Sequence, residues 1–365
     1  MVDVSRAPRI LALTGHPVEA AGARHRILQF LPGLRERGFQ IEHSSFFTSS
    51  DWEQLYAPNA GAHRALALLR GTGRRARQLL RARNFDLLWV HLWLHPITFP
   101  PFDAALRALN IPLVYDFDDA FYAPNGGFAD RLRDRHWTTR MMRRAHTVVA
   151  GSDYIRDYVQ QYSERVEVLP TAVDTDRFTP RDFDAERNPR PVIGWVGSHS
   201  TARYLDQLYP VLERLAQKHD FLLRIIGAGK EVSLSGVRAE WLPWRLENEV
   251  DNFRQLDIGL YPLQEDEFAS GKHGFKMHQY MAVAVPTVAS AVGVNPKIIQ
   301  HGETAFLASN PDDWYTALDA LLTNEPMRRR VGYASRNDVV AHASLRACLD
   351  RIDGILRSAA ASRKV

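Results

Sequence analysis

The sequence contains one cysteine, Cys348, among its 365 residues. A single thiol excludes a disulfide within the chain, and such a composition is typical of reducing compartments. No apolar run approaches the roughly 20 residues that a membrane-spanning helix requires. The apolar stretch near the N-terminus is too short for the core of a signal peptide, and no cleavage site follows it. These absences predict a cytoplasmic protein.

Acidic residues are missing from one basic stretch of the chain, residues 64–83. The net charge of +4 is too small and too diffuse to indicate nucleic-acid binding. Between Arg64 and Arg83, however, the chain has seven arginines and no acidic residue. A basic amphipathic helix of this kind can lie on the inner face of an anionic membrane, or it can simply be a solvated helix face. Both interpretations stay open here. The interleaved leucines are Leu66, Leu68, Leu69, Leu79 and Leu80.

Short apolar runs alternate with longer helical patterns along the whole chain. This alternation is typical of parallel sheets covered by helices, so the predicted fold class is α/β. One helix is predicted over 23–37 and ended by Gly38, and another over 204–218. The predicted strands are 10–13, 39–41, 86–90, 111–115, 146–150, 166–169, 192–197, 221–226, 257–261 and 287–290.

A charged, proline-bearing segment without apolar periodicity, residues 179–191, separates the strand runs into two sets. We therefore predict an N-terminal domain over 1–185 and a second domain over 186–335. A C-terminal helix over 336–365 is expected to pack back toward the first domain. Two Rossmann-like domains facing each other would create a deep cleft, with ligands at the carboxyl ends of the strands.

The first candidate site segment follows the predicted strand 192–197. It contains Gly197, Ser198, Thr201 and Arg203, and it leads into a helix. Small hydroxyl residues and free backbone N–H groups at such a position suit a diphosphate, and a guanidinium can pair with phosphate oxygens. The alternative is a plain turn in which the serine and threonine cap the helix.

The second candidate segment is a glycine- and lysine-containing loop that opens a helix. Glycines allow the backbone to approach a ligand closely, and Lys272 would add positive charge near the helix start. Gln279, further along the helix, can hydrogen-bond ribose hydroxyls. A helix start with solvated lysines is the alternative. The loop residues are Gly271, Lys272, His273, Gly274, Phe275 and Lys276.

In the first half, polar side chains follow predicted strands. Asp116 and Asp118 lie at the end of one strand, where carboxylates can orient sugar hydroxyls or act as a general base. His91 follows another strand and can line the cleft, although an isolated histidine at a strand end is often structural. Near the N-terminus Gly22, Arg24 and Arg26 are candidates for contact with a diphosphate or an anionic acceptor.

Taken in chain order, these segments resemble glycosyltransferase family 4, the "group 1" transferases of GT-B fold. The similarity includes Ala-Gly-Ala-Arg-His-Arg at 21–26, Leu-Pro-Thr-Ala-Val-Asp at 169–174 and Trp-Leu-Pro-Trp at 241–244. The Gly-Lys-x-Gly-Phe-Lys loop at 271–276 resembles one sub-branch of the family. The resemblance implies donor contacts from Gly227, Pro243 and Trp244 in addition to the two segments above.

The resemblance also implies an activity. A retaining enzyme would transfer a sugar from a nucleotide-diphosphate donor to a glycan, lipid-linked or small-molecule acceptor, in the synthesis of cell-surface polysaccharide or glycoconjugates. No cofactor and no essential metal would be required. Asp116 and Asp118 spell the Asp-x-Asp of the GT-A fold, which binds metal and diphosphate, but the donor-like loops here lie beyond residue 190.

The sequence departs from the family at one place. Two glutamates eight positions apart are common in the family, and Gly271 and Gln279 stand in their positions here. The alternatives to a transferase are a nucleotide-sugar 2-epimerase of GT-B fold and a non-catalytic nucleotide-sugar binding relative. A two-domain solute receptor would also fit the pattern of elements, but the missing signal peptide argues against it.

Overall fold

The computed structural model describes residues 7–55, 60–120, 122, 134, 136–184, 186–265 and 274–363. The chain divides into two compact units. The first contains Met1–Thr171 together with Cys348–Val365, and the second contains Ala172–Ala347. Each unit is an α/β structure with one parallel sheet, as the sequence predicts, and each sheet has six strands.

In the first unit the sheet order is β2-β1-β3-β4-β5-β6, and all pairs are parallel. The order reverses between β1 and β3. Four of the six strands are buried along almost their whole length, because helices cover both faces of a parallel sheet. The strands are β1 (Arg9–Thr14), β2 (Gln40–Ser45), β3 (Leu87–His91), β4 (Leu113–Phe117), β5 (Thr147–Ala150) and β6 (Val166–Val168).

The helices of the first unit connect these strands. The described ones are α1 (Ala21–Arg26), α2 (Leu31–Glu36), α3 (Ser49–Leu55), α4 (Gly61–Arg81), α5 (Pro100–Leu109), α6 (His136–Arg144) and α7 (Asp153–Val159). Two short 3₁₀ segments, Leu28–Phe30 and Ala82–Asn84, accompany them.

In the second unit the sheet order is β12-β11-β10-β7-β8-β9, again all parallel. Numbered within the unit, this is the 3-2-1-4-5-6 order of dinucleotide-binding Rossmann folds, and it reverses between β7 and β10. The strands are β7 (Val192–Val196), β8 (Leu222–Ile226), β9 (Arg238–Leu242), β10 (Ile258–Tyr261), β11 (Thr287–Ser290) and β12 (Phe306–Ala308).

The helices that follow complete the chain. The described ones are α8 (Tyr209–Ala216), α9 (Glu249–Arg254), α10 (Phe275–Ala282), α11 (Asn295–Ile298), α12 (Pro311–Thr323), α13 (Glu325–His342) and α14 (Leu345–Ala361). A 3₁₀ segment, Ala202–Leu208, precedes α8. Among the described residues, no helix combines the length and the apolar character needed to cross a bilayer.

The predicted continuous helix over 23–37 is wrong. The chain forms α1, a 3₁₀ segment and α2 instead, and Ile27 at the first junction has a non-helical φ of −121°. Pro32 lies in the first turn of α2, where its missing N–H needs no partner. A proline is tolerated there but not in a helix interior, so the helix is interrupted before it.

The helix predicted over 204–218 is likewise divided. The chain adopts a 3₁₀ conformation over Ala202–Leu208, and α8 begins only at Tyr209 with Pro210 in its first turn. The predicted helix end at Gly38 agrees with the structure, where this glycine has φ of 90° directly after the last turn.

The unit boundary lies earlier than residue 185. The chain division falls after Thr171, because Val173 pairs with Ser344 and Phe178 is buried in the core of the second unit. The predicted C-terminal helix over 336–365 is in fact the end of α13 followed by α14. Residues from Cys348 onward belong to the first unit. There Leu349 lies against Gly33, and Arg37 forms ion pairs with Asp350 and Asp353.

Candidate functional site

Topology indicates where a ligand would bind in each unit. In open parallel sheets, ligands bind beyond the carboxyl ends of the strands where the strand order reverses. In the first unit these are the ends of β1 and β3, and in the second they are the ends of β7 and β10. The residues directly after these strands and their neighbours are therefore the candidates, and each unit is described by itself.

A buried ion pair stands at the carboxyl end of the first sheet. The Nε of Arg26 in α1 donates to Oδ1 of Asp116 in β4 at 2.8 Å, and both side chains are almost fully buried. The same guanidinium donates to the carbonyl oxygen of Leu169 at 2.6 Å. Arg26 thereby links α1, β4 and the segment after β6. Its guanidinium is engaged within the protein, and contact with a diphosphate stays a prediction.

Asp118 lies two residues after Asp116, directly after the end of β4. Its carboxylate accepts a hydrogen bond from the hydroxyl of Thr171 at 3.1 Å, and its Oδ1 is 3.8 Å from Nε2 of His91. A Cβ added to Gly151 would lie 2.6 Å from the Cα of Asp118, so only glycine permits this approach. A Cβ added to Gly22 would meet the ring of His91 at 3.2 Å. The structure therefore brings the predicted residues Gly22, His91 and Asp118 together.

Several buried polar atoms at this edge lack a hydrogen-bond partner among the described residues. They are both ring nitrogens of His91, Oδ2 of Asp116, Nη2 of Arg26 and Nδ1 of His16. Buried polar groups are almost always satisfied, so a concentration of such atoms indicates a site for a polar ligand or for water. Leu92, directly after His91, has a φ of 63°, a strained conformation that is often found at functional sites.

His16 is a residue of this edge that the sequence interpretation missed. It follows β1 and its ring packs against Trp52 and Trp93 at centroid distances of 5.1 and 5.2 Å. Burial, with a smaller contribution from His91, lowers the pKa of His16 from 6.5 to about 4. The imidazole is therefore neutral at physiological pH, with one acceptor and one donor nitrogen. Its position directly after a predicted strand and Gly15 was the signal available in the sequence.

Burial also raises the pKa of Asp116, against the opposing charge of Arg26. Arg24, the other arginine of α1, is buried too, and it donates to the carbonyl oxygens of Val18 and Glu19 at 2.9 and 3.2 Å. Both arginines thus hold the segment that contains Gly22, Arg24 through local contacts and Arg26 through contacts with β4 and the segment after β6.

In the second unit, the segment after β7 is exposed and rich in hydroxyl groups. The backbone N–H of Ser198 donates to the hydroxyl of Thr201 at 3.2 Å, and the hydroxyls of Ser198 and Ser200 are 2.8 Å apart. The guanidinium of Arg203 lies over the ring of Tyr204 at 5.0 Å. The following helix is 3₁₀, whose hydrogen-bond geometry is poorer than that of an α-helix. The hydroxyl groups and Arg203 are therefore better suited to attract an anion than the dipole of this helix.

Two glycines and a tryptophan meet at the ends of β7, β8 and β9. Gly227 has a φ of 85°, and a Cβ added there would lie 2.3 Å from the carbonyl oxygen of Gly197 and 3.2 Å from the Cβ of Trp244. A side chain at either glycine is sterically excluded, because one at Gly197 would meet the ring of Trp195 at 2.1 Å. Trp244 is half-buried and Pro243 is exposed. Thus the predicted residues Gly197, Gly227 and Trp244 form one cluster.

A chain of polar side chains connects α10 with α9. Nζ of Lys276 donates to Oε1 of Gln279 at 3.0 Å, and Nε2 of Gln279 donates to Glu249 at 3.4 Å. Glu249 also pairs with Arg177 at 3.1 Å. Gln279 is fully buried, so its predicted hydrogen bond to a ribose stays a prediction and would require exchange of one of these partners.

Glu249 was missed by the sequence interpretation. It is buried, and its carboxylate lies directly beside Gln279. Gln279 occupies a position at which the family commonly has a glutamate. No local pattern signals it, because α9 lies 30 positions before Gln279 in sequence.

The remaining predicted loop lies partly outside the described residues. Gly271, Lys272 and His273 belong to that part. Gly274 precedes α10 with a φ of 76°, and a Cβ there would lie 2.9 Å from the side chain of Ile298. Phe275 is buried at the start of α10.

Comparison with known proteins follows this geometry. Two family profiles match, "Glycosyltransferase Family 4" over residues 20–177 and "Glycosyl transferases group 1" over residues 190–324, which together span more than half of the chain. The chain belongs to glycosyltransferase family 4. It is an enzyme, a glycosyltransferase of GT-B fold, and the resemblance read from the sequence is confirmed at that level. The finer assignment to the Gly-Lys-x-Gly-Phe-Lys sub-branch stays a prediction.

Individual relatives agree with this family. The D-inositol 3-phosphate glycosyltransferase of Corynebacterium jeikeium is 24% identical over 288 residues, which cover 68% of this chain and 67% of that protein. Sucrose-phosphate synthase from Thermosynechococcus elongatus has a TM-score of 0.71 at 16% identity, covering 97% of this glycosyltransferase and 100% of that chain. HepE from Anabaena, solved with UDP-glucose, has a TM-score of 0.71 at 16% identity, with coverage of 96% and 100%.

Proposed function

We propose that this glycosyltransferase transfers a sugar from a nucleotide-diphosphate donor to a hydroxyl group of a glycan, lipid-linked or small-molecule acceptor, with retention of the anomeric configuration. The proposal includes a role in the synthesis of cell-surface polysaccharide or glycoconjugates. The relative named for D-inositol 3-phosphate and the structural neighbour solved with UDP-glucose support this class of reaction.

One observation carries the proposal for the donor. At the carboxyl ends of β7 and β8, Gly197 and Gly227 let two loop backbones pack closely together, beside exposed hydroxyl groups and Trp244. Backbone N–H groups and hydroxyls suit phosphate oxygens, and an aromatic ring suits a base or sugar. Arg203 and Lys276 supply positive charge in the same unit. The leaving diphosphate would be stabilised electrostatically by these groups, which is commonly the largest catalytic contribution.

The acceptor is proposed to bind at the carboxyl edge of the first sheet. His91 and the neutral His16 offer ring nitrogens for hydroxyl groups, while Asp118 carries a carboxylate 3.8 Å from His91. In the reaction, the acceptor oxygen forms a bond to the anomeric carbon as the bond from that carbon to the diphosphate oxygen breaks. The acceptor proton leaves to a base, for which Asp118 is our candidate.

Donor binding is tested by variants in the second unit. Arg203→Gln and Lys276→Met each remove a positive charge, whereas Lys297→Met changes an exposed lysine outside the predicted site. With uridine, guanosine and thymidine diphosphate sugars in a thermal-shift screen, one donor should stabilise the wild type by about 2.7 kcal/mol at about 100 times its dissociation constant. The two site variants should bind that donor roughly tenfold more weakly. Equal donor binding by the wild type and all three variants would contradict the assignment of Arg203 and Lys276 to the donor site.

Product analysis tests the chemistry itself. Nuclear magnetic resonance of the product would show the same anomeric configuration as the donor if the enzyme is retaining. Incubation with the donor alone separates the transferase from the alternative 2-epimerase, because an epimer of the donor would form without any acceptor. Donor binding with neither reaction, for every acceptor tried, would instead favour a non-catalytic relative.

We further propose that α4 contacts an anionic membrane surface. Leu69 and Leu80 are 70% and 82% exposed, and Leu66 is 41% exposed. At 100° per residue these leucines share one helix face with the exposed Arg70 and Arg77. Exposed leucines combined with positive charge and no acidic residue on the helix complement an anionic lipid surface.

A vesicle sedimentation assay tests this contact. The wild type should sediment with vesicles containing phosphatidylglycerol and remain in solution with pure phosphatidylcholine. The double variant Leu69→Gln/Leu80→Gln should sediment less without loss of stability, since both side chains are exposed. Unchanged sedimentation of the variant, or none by the wild type, would contradict the proposal.

A further inference from the structure

A cavity of the second unit lies at the opposite edge of its sheet from the predicted donor loops. Its volume is about 400 Å³, within the range of small-molecule sites. Pro191, Asp257 and Pro286 line it, and these residues directly precede β7, β10 and β11. Because the strands are parallel, the cavity lies at their amino ends, whereas Gly197 follows the carboxyl end of β7. At about 3.3 Å per residue, the two edges are roughly 15 Å apart.

The lining of this cavity is strongly basic. Five arginines line it against two carboxylates, those of Asp257 and Glu325. The carboxylates are shared: Glu325 pairs with both Arg187 and Arg329, and Asp257 also accepts hydrogen bonds from Asn188 and the N–H of Val192, at 2.8 Å each. The five arginines are Arg181, Arg187, Arg190, Arg328 and Arg329.

Carboxylates outside the lining compensate some of the positive charge of these arginines. Arg329 also pairs with Asp184 at 2.8 Å, and Arg190 pairs with Asp220 at 3.1 Å, neither of these carboxylates being part of the lining. Arg328 is different, because within the described part of the chain it forms no ion pair. It donates to the carbonyl oxygens of Leu321 and Leu322 at the end of α12.

Two further observations indicate that this environment favours an anion. Arg181 is 4% exposed and its Nε lacks a hydrogen-bond partner among the described residues, although its Nη2 pairs with Asp257. Burial lowers the pKa of Arg328. The carboxylates of Asp257 and Glu325 act in the opposite direction, and the positive charges of Arg181 and Arg187 lower this pKa further. Buried guanidinium groups are normally fully hydrogen-bonded, so an unsatisfied one in a basic cavity is a place for an anion.

We propose that this cavity binds a small molecule bearing a phosphate group, at a site separate from the transfer reaction. A phosphomonoester carries about −1.5 to −2 charge at neutral pH and has three acceptor oxygens. That charge is opposite in sign to the excess of arginines in the lining, and guanidinium forks fit phosphate oxygens. The neutral part of the ligand would lie against Phe183 and the proline rings of the lining.

Titration of the full-length chain tests the proposal. The probes are inorganic phosphate, glucose 6-phosphate and uridine monophosphate, with glucose as the uncharged control. Binding is measured by calorimetry in the wild type and in Arg328→Gln, Arg187→Gln, Arg330→Gln and Arg203→Gln. Arg187 is 69% exposed, so its variant should fold even if Arg328→Gln does not. Arg330 lies on the same helix as Arg328 but outside the cavity, and it serves as the matched control.

The expected result is binding of at least one phosphate compound and none of glucose. Removing Arg328 or Arg187 should weaken binding roughly tenfold, since each loses a charge-assisted contact. Removing Arg330 should leave it unchanged. Removing Arg203, which belongs to the proposed donor site, should leave the binding of inorganic phosphate and glucose 6-phosphate unchanged. Equal affinity for inorganic phosphate and the esters would identify free phosphate as the ligand, and tighter binding of one ester would identify that ester class. No binding at 10 mM, roughly the limit of specific recognition, or a loss confined to Arg203→Gln would overturn the proposal.

Discussion

The carboxyl edge of the first sheet is built from buried charged side chains, whereas that of the second is built from glycine backbone and exposed hydroxyl groups. In the first unit, Arg26 and Asp116 are paired almost without exposure, and Asp118 and His91 lie beside them. In the second unit, Ser198 and Ser200 are exposed on the loop that Gly197 begins. Both edges occupy equivalent positions in parallel sheets, so the fold alone does not dictate their chemistry.

Under the proposed function, the difference follows from the ligand that each edge binds. Backbone N–H groups and hydroxyls suit phosphate oxygens because they are numerous, small and already directed outward. A hydroxyl-bearing acceptor requires discrimination between similar neutral molecules, which buried and precisely oriented polar groups provide better. Under the proposed function, the first edge selects the acceptor through buried polar groups, and the second, open edge binds the diphosphate through exposed ones. The following predictions test that contrast, beginning with the largest effect.

Removing Arg26 should be the most damaging single change. The variant Arg26→Met leaves Asp116 buried without its partner, and breaking a buried ion pair in this way costs about 3–5 kcal/mol of unfolding free energy. Urea unfolding of the wild type and variant measures this cost. The double variant Arg26→Met/Asp116→Leu should recover most of it, because no uncompensated charge remains. A single-variant cost below about 1 kcal/mol would show that this edge is not held by the pair.

Acid should destabilise the first unit through His16. Its pKa is about 4 in the folded protein and 6.5 unfolded, so between these values the unfolded chain binds more protons. Stability is therefore complete above pH 6.5 and falls as the pH drops toward 4, by at most about 3 kcal/mol from this residue. Thermal unfolding across this range should show a smaller decline for His16→Gln. The same change at the exposed His199 of the second edge should leave the decline as it is in the wild type.

The open edge should be sensitive to backbone crowding. Gly227 and Gly236 both have positive φ, at 85° and 72°, but only a Cβ at Gly227 meets another atom, the carbonyl oxygen of Gly197. Gly236→Ala should therefore cost about 1 kcal/mol through backbone strain alone. Gly227→Ala should cost about 2 kcal/mol and also weaken donor binding, since the Gly197 loop must move. Equal effects of the two variants on donor affinity would contradict the role of this contact.

The sequence predicted most strands of both sheets, but not β9 and β12. Both are edge strands with partly exposed residues, so neither carries the continuous apolar run that identifies a buried strand. The interruption of the first helix was recoverable from Pro32, whose position in a helix interior would have been unfavourable. The unit boundary was not recoverable, because it depends on Val173 pairing with Ser344 far along the chain.

The candidate site shows the same division. His91, Asp116 and Asp118 were predicted because they follow predicted strands, and Gly22 because of the family resemblance of residues 21–26. The structure brings all four to one edge. Glu249 escaped prediction because its partner Gln279 lies on a different helix. The cluster of arginines around Arg328 escaped as well, since its members come from the segment before β7 and from α13.

By itself the sequence determined the α/β class, the family and the strand ends where the candidate site residues lie, because apolar periodicity and glycine positions are local properties of the chain. The tertiary structure alone decided which of the polar residues are paired. Arg26 and Asp116 lie 90 positions apart, and whether a charged side chain reaches a ligand or is held by a partner depends on which atoms the fold brings within hydrogen-bond distance. Residue types therefore indicated the chemistry of the candidate site. Because partners such as Arg26 and Asp116 are far apart in sequence, only the folded units show how the charges are compensated.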